Sequence, residues 1–217
     1  HLQRRRQRQM CIRDRIIVAP KPKTSSEFID KWILKSKLSN IEPFIINNKI
    51  DIESDNEYKI KLDIYKSLGI TTVDCSAKHG DNLKELIDFL KQKSVLFVGN
   101  SGAGKSTLSS KLIGKKLKTN SLSNEQGVHT TSISSLYELQ NNTKIIDSPG
   151  MRDIEIKNYS KDHIIHGFEE ILEASKGCKF ANCNHINNKG CFVIEGLANG
   201  QINQSRYNNF IKFRDNG

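Results

Sequence analysis

Residues Gly99-Asn100-Ser101-Gly102-Ala103-Gly104-Lys105-Ser106 fit the pattern G-x-x-x-x-G-K-[ST], and Thr107 follows. The chemistry open to such a stretch is the holding of a phosphate chain. Its glycines let backbone N–H groups converge on phosphate oxygens that side chains would obstruct. A helix starting near Lys105 adds the positive end of its dipole. Lys105 is then placed to bridge the β- and γ-phosphates, and Ser106 to ligate Mg²⁺. The duller explanation is an accidental glycine turn. With Gly near 7% of residues, the four fixed positions arise by chance in roughly one chain per hundred or fewer.

Two upstream stretches can read a base. Asn48-Lys49-Ile50-Asp51 places a carboxylate where it can accept two hydrogen bonds from the N1–H and exocyclic amine of guanine. Adenine offers no such donor pair and would leave the Asp51 carboxylate desolvated and unpaired. The aliphatic stem of Lys49 can cover the purine. Alone, N-K-x-D is a common polar turn. Ser76-Ala77-Lys78 supplies the second half, with the Ala77 N–H facing the guanine O6 that adenine lacks. Both follow apolar runs and so sit at strand C-terminal ends, where open α/β sheets bind ligands.

Downstream, Asp147-Ser148-Pro149-Gly150 closes the set. Asp147 would hold Mg²⁺ through water, and the Gly150 N–H would meet the γ-phosphate. Thr130 and Thr131 both lie in the intervening loop, and Thr131 is slightly preferred as the Thr that completes the metal shell. Ordinary GTPases run cradle, Thr, D-x-x-G, N-K-x-D, S-A-K. Here the last two come first, which is a circular permutation. It feeds the D-x-x-G loop directly into the C-terminal segment. The residue after that motif is Met151, which cannot polarise water, so slow intrinsic hydrolysis is expected.

The elements that must position these groups follow from the hydropathy pattern. "RIIVAP", "PFIINNK", "ITTVDCSAK", "SVLFVGN", "TSISSLYEL" and "TKIIDSPG" read as strands. "SSEFIDKWILKSKLS", "NEYKIKLDIYKSLG" and "GDNLKELIDFLKQK" read as helices. The alternation predicts an α/β P-loop domain with a mostly parallel sheet over residues 16–157. A small helical domain is expected over 158–217, with two short helices near its end. There Cys178, Cys183, His185 and Cys191 fall within fourteen residues, which suggests a metal site in a reducing compartment. Residues 1–15 hold six Arg and one Asp, half of the net charge of +10, and no apolar periodicity. They read as a non-native leader of the kind left by adapter read-through, with a basic RNA-binding arm as the alternative. The rest is moderately basic, compatible with an RNA partner. No apolar run approaches the ~20 residues of a membrane span.

The permuted order, "GNSGAGKST", "GVHTTS", "DSPG" and the trailing Cys/His cluster together resemble the bacterial ribosome small-subunit-dependent GTPase A family over about residues 16–217. The resemblance implies a monomeric cytoplasmic GTP hydrolase with Mg²⁺ that binds the 30S subunit and 16S rRNA, aids late maturation and is stimulated by the subunit. It implies an N-terminal OB-fold as well. The 217 residues begin at the strand before N-K-x-D, and a fragmented gene model would account for the missing domain. Cys178-x4-Cys183-x-His185-x5-Cys191 matches the family's zinc spacing. Such a set fills a tetrahedral Zn²⁺ and is structural. His129 takes the water-orienting role in this resemblance; a solvated loop histidine is the bland alternative. The competing functions are a permuted GTPase of large-subunit assembly and a non-catalytic, zinc-stabilised RNA-binding module.

Overall fold

The computed structural model describes residues 12–114, 118–120, 135–139, 142–147, 154–157 and 159–216. Strands β1 (Ile12–Val18), β2 (Phe44–Asn48), β3 (Thr71–Cys75), β4 (Ser94–Val98), β5 (Lys118–Asn120), β6 (Ser135–Glu138) and β7 (Lys144–Asp147) form one sheet. Its order is β3-β2-β1-β4-β7-β6-β5. The five strands from β3 to β7 are parallel, and β6 and β5 add an antiparallel edge. The expected mostly parallel sheet is present. The edge strand β5 is an addition: three residues, "KTN", are too few and too polar to carry a period.

Period-two alternation explains why the parallel strands read as unbroken apolar runs. Ile17, Ile46, Val95 and Phe97 face one core with Leu86 and Leu90 of helix α3 (Leu83–Leu90) and Leu108 and Leu112 of α4 (Lys105–Ile113). Ile16, Val18, Ile45, Leu96 and Val98 face the other, with α1 (Ser26–Leu38) and α2 (Asn56–Ser67). Ser25 caps α1 by accepting from Phe28 N, and Asp55 caps α2 by accepting from Tyr58 N.

β1 begins at Ile12, so the boundary placed after Arg15 is corrected. Residues 13–16 pair with 95–98 of β4, and Asp14 and Arg15 are buried. The misreading has a physical cause: two charges at central-strand positions hide the apolar run that marks such a strand. Arg15 lies over the Phe44 ring with its Nε unpartnered among the described residues.

The C-terminal lobe consists of α5 (Lys161–Ile164), a 3-10 turn at Ile165–Gly167, α6 (Glu169–Ser175), α7 (Phe192–Ala198) and α8 (Gln204–Asn216). Its last helix has 13 residues and is not short. Phe168, Ile171, Val193, Phe210 and Phe213 form its core, completed by Leu34 from α1 and by Ile156. Helix α1 is therefore buried on two sides. A Cβ on Gly167 would come within 2.8 Å of Leu34 Cβ, so glycine is what lets the turn lie against α1. No helix among the described residues is long and apolar enough to cross a membrane.

Candidate nucleotide site and metal centre

The phosphate turn leaves the C-terminal end of β4 at the middle of the sheet and runs into α4, with Gly104 as the residue before the first helical turn. Two of its glycines are required for separate reasons. A Cβ on Gly99 would lie 2.5 Å from Ile17 O of the neighbouring strand. Gly104 has φ +99°, and a Cβ there would lie 2.2 Å from Asn48 Nδ2. Lys105 Nζ donates to the carbonyls of Gly99 at 2.6 Å and Asn100 at 3.0 Å, which holds it across the turn. Ser106 and Thr107 are exposed in the first turn of α4, Ser101 and Gly102 are exposed at the crest, and Ala103 is buried beneath.

The upstream motifs meet this turn as the permuted order requires. Asn48, at the end of β2, is buried and bridges the site: its Nδ2 donates to Ala103 O at 3.0 Å, and its Oδ1 accepts from Ala77 N at 3.0 Å. Strand β1 lies between β2 and β4, so this amide spans a full strand position. The Ala77 N–H expected at guanine O6 is thus engaged by Asn48, which locks S-A-K to the phosphate turn. Lys49 adopts a left-handed backbone (φ +66°), and its Nζ donates to Lys21 O at 2.8 Å. Asp51 Oδ1 accepts from Ser76 Oγ at 2.6 Å, and that hydroxyl accepts from His79 N at 3.1 Å. The Ser76 hydroxyl holds the Asp51 carboxyl below its usual range, with His79 and Lys78 adding to it. Asp51 is therefore an ionised, oriented acceptor. Sequence reasoning passed over His79, whose Nε2 stands 3.7 Å from Asp51 Oδ2; its place directly after S-A-K was the available signal.

Asp147 ends β7 opposite Ser135. Gly150, Met151, His129, Thr130 and Thr131 lie outside the described residues.

In the C-terminal lobe the ligand atoms of Cys178, Cys183, His185 and Cys191 all lie within 4.8 Å of one another. Three of the separations are 3.6, 3.7 and 3.9 Å, between His185 Nδ1 and the Cys191 and Cys178 sulfurs and between those sulfurs. In a regular tetrahedron, edges of that size put the centre about 2.2–2.4 Å from those three atoms, close to Zn–S and Zn–N bond lengths. Burial, aided by Arg214, pushes the His185 imidazole down and so favours the neutral, ligating form. Burial pushes the Cys191 thiol up to about 11, so a thiolate there needs a cation beside it. The donor set fits Zn²⁺ with no position left open. Tyr207 Oη donates to His185 O at 2.7 Å and orients the loop from α8.

Sheet order and site together define a circularly permuted P-loop domain of the GTPase type, followed by a lobe with a Cys₃His metal site. A family model for the RsgA GTPase matches residues 9–157, and the chain belongs to that family. The chain is 34% identical over 207 residues to the small ribosomal subunit biogenesis GTPase RsgA of Klebsiella pneumoniae (strain 342), covering 91% of this chain and 59% of that protein. It is 35% identical over 205 residues to the protein of the same name from Actinobacillus succinogenes, with the same coverage. The chain thus spans 59% of the length of these relatives. Among solved structures, YjeQ from Thermotoga maritima superposes with a TM-score of 0.75 at 28% identity, over 94% of this chain and 71% of that one. The fold is shared with YloQ, described as a circularly permuted GTPase, at a TM-score of 0.73 and 23% identity, over 94% and 67% of the two chains.

Proposed function

We propose that the protein hydrolyses GTP as a switch in late maturation of the 30S ribosomal subunit, acting in the cytoplasm as a monomer that contacts 16S rRNA. The observation that carries the nucleotide part is the Asn48 bridge. One side chain ties the base-reading turn to the phosphate turn, so the two halves of a guanine nucleotide are read by a single braced unit. The family and its named relatives support the ribosomal part.

In this reading Asp51 accepts from the guanine N1–H and amine, and the stem of Lys49 covers the ring. The amides of 99–106 and Lys105 hold the phosphates, with Gly150 at the γ-position. Ser106 and Thr131, with Asp147 through water, would hold Mg²⁺, which neutralises charge on the phosphates. His129 orients the attacking water where Met151 cannot. Ordering of that loop by the small subunit raises the rate, as a group supplied in trans does elsewhere by roughly 10³–10⁵-fold.

The test is GTP turnover with and without purified small subunits, for the protein and for His129→Ala. The expected result is stimulation in the first and none in the second, with GTP affinity unchanged. Turnover indifferent to subunits would instead favour a zinc-stabilised RNA-binding module.

A further inference from the structure

The loop between β1 and α1 touches the nucleotide site at two points. Lys21 O accepts from Lys49 Nζ, and a Cβ on Gly102 at the crest of the phosphate turn would lie 3.2 Å from Pro22 Cδ. The loop is secured from behind: Lys23 pairs with Asp55 and Glu57, and Lys61 Nζ donates to Thr24 O at 2.8 Å. Helix α1 starts directly after it.

One turn along α1, Asp30 is fully buried. Its Oδ1 accepts from Arg206 Nη1 at 2.7 Å and Tyr65 Oη at 2.8 Å, and its Oδ2 from Asn209 Nδ2 at 2.6 Å. Arg206, on α8, is 2% exposed and also donates to Glu170 and to Gly167 O. Burial works against the Arg206 charge, yet Asp30 and Glu170 hold its pKa above the ordinary value. The next residue, Tyr207, holds the carbonyl of the ligand His185, and Arg214 donates to Asn184 O. Phe210 lies against the His185 ring. Helix α8 therefore grips α1 with one set of side chains and the metal loop with another.

We infer that α1 and α8 couple nucleotide occupancy to the metal centre, through Lys49, Lys21, Asp30, Arg206, Tyr207 and His185. This rests on the nucleotide reading above. It needs no part of the D-x-x-G loop. A base seated on Lys49 restrains the Lys21 carbonyl and the start of α1, and the buried ion network passes that restraint to α8 without slack. Coupling between sites is reciprocal for affinities, so GDP must tighten metal binding by the factor by which metal loss weakens GDP.

The experiment measures Zn²⁺ affinity by equilibrium competition with a chromogenic chelator, with and without saturating GDP, and GDP affinity before and after chelation. GDP should tighten Zn²⁺ binding at least about fivefold, with a matching loss of GDP affinity after chelation. Tyr207→Phe deletes one hydroxyl, keeps the Arg214 and Phe210 contacts, and should leave both sites able to bind while weakening the coupling. Arg206→Lys should reduce it in part. Zinc affinity indifferent to bound GDP overturns the inference, as does full coupling in Tyr207→Phe. Failure to bind GDP at all is a different result and removes the nucleotide reading itself.

Discussion

In the proposed nucleotide site, the groups that would meet the phosphates are largely main-chain amides at the end of a parallel strand. Around the metal they are four side chains on a loop of fourteen residues. The first arrangement is held by a sheet buried on both faces, and the buried side chain Asn48 only braces it. The second stands on a small core that borrows Leu34 from α1. A site built from backbone inherits the rigidity of its sheet, whereas one built from side chains needs its ion and its neighbours. That contrast sets the size of the effect expected from each substitution.

The largest effect belongs to the metal lobe. Cys191→Ser removes a ligand, and structural zinc contributes on the order of 10 kcal/mol of folding free energy in small domains. Limited proteolysis should then cut within 159–216 while the sheet stays resistant; an intact lobe would mean that its aromatic core suffices. Next comes the base reader. Asp51→Asn exchanges an acceptor for a donor and should cost roughly 10³-fold in GDP affinity, while improving the affinity for xanthosine diphosphate, whose C2 carries a carbonyl. Calorimetry with both nucleotides checks this, and unchanged GDP binding would remove Asp51 from the site.

Asn48→Ala leaves the Ala77 N–H and the Ala103 C=O buried without their partner. The expected loss is about 2–4 kcal/mol of stability, since each orphaned group costs about 1–3 kcal/mol. Urea unfolding measures it, and a loss under about 1 kcal/mol would show that the two turns stand unbraced. Smallest is Lys23→Ala. Its ion pairs to Asp55 and Glu57 are half exposed or more, so water screens them and stability should hardly change. A larger drop would promote the β1–α1 loop from tether to keystone.

Sequence reasoning foresaw which runs come together, since each is consecutive in the chain. Gly99–Ser106, Asn48–Asp51 and Ser76–Lys78 meet at one end of the sheet, and the Cys/His run gathers its four ligand atoms. It failed where a partner is remote or the local signal contradicts the environment. The Asp14 and Arg15 charges hid four residues of β1. The expected Ala77 contact with guanine did not foresee Asn48, because nothing near Ala77 in the chain announces it. Asp30 looks like a solvent-facing residue of an amphipathic helix, yet it is buried against a side chain 176 positions away.

Composition and order alone therefore determined that strands alternate with helices, that G-x-x-x-x-G-K-S follows N-K-x-D, and that a Cys₃His set comes after both. Those properties depend on backbone geometry and on the donor atoms of neighbouring residues, which chain order specifies directly. The tertiary structure decided that α1 belongs to both halves, that Asn48 spans the site, and that α8 grips α1 and the metal loop together. Such contacts depend on how whole elements pack, and the lowest free energy of packing is a property of all the faces at once.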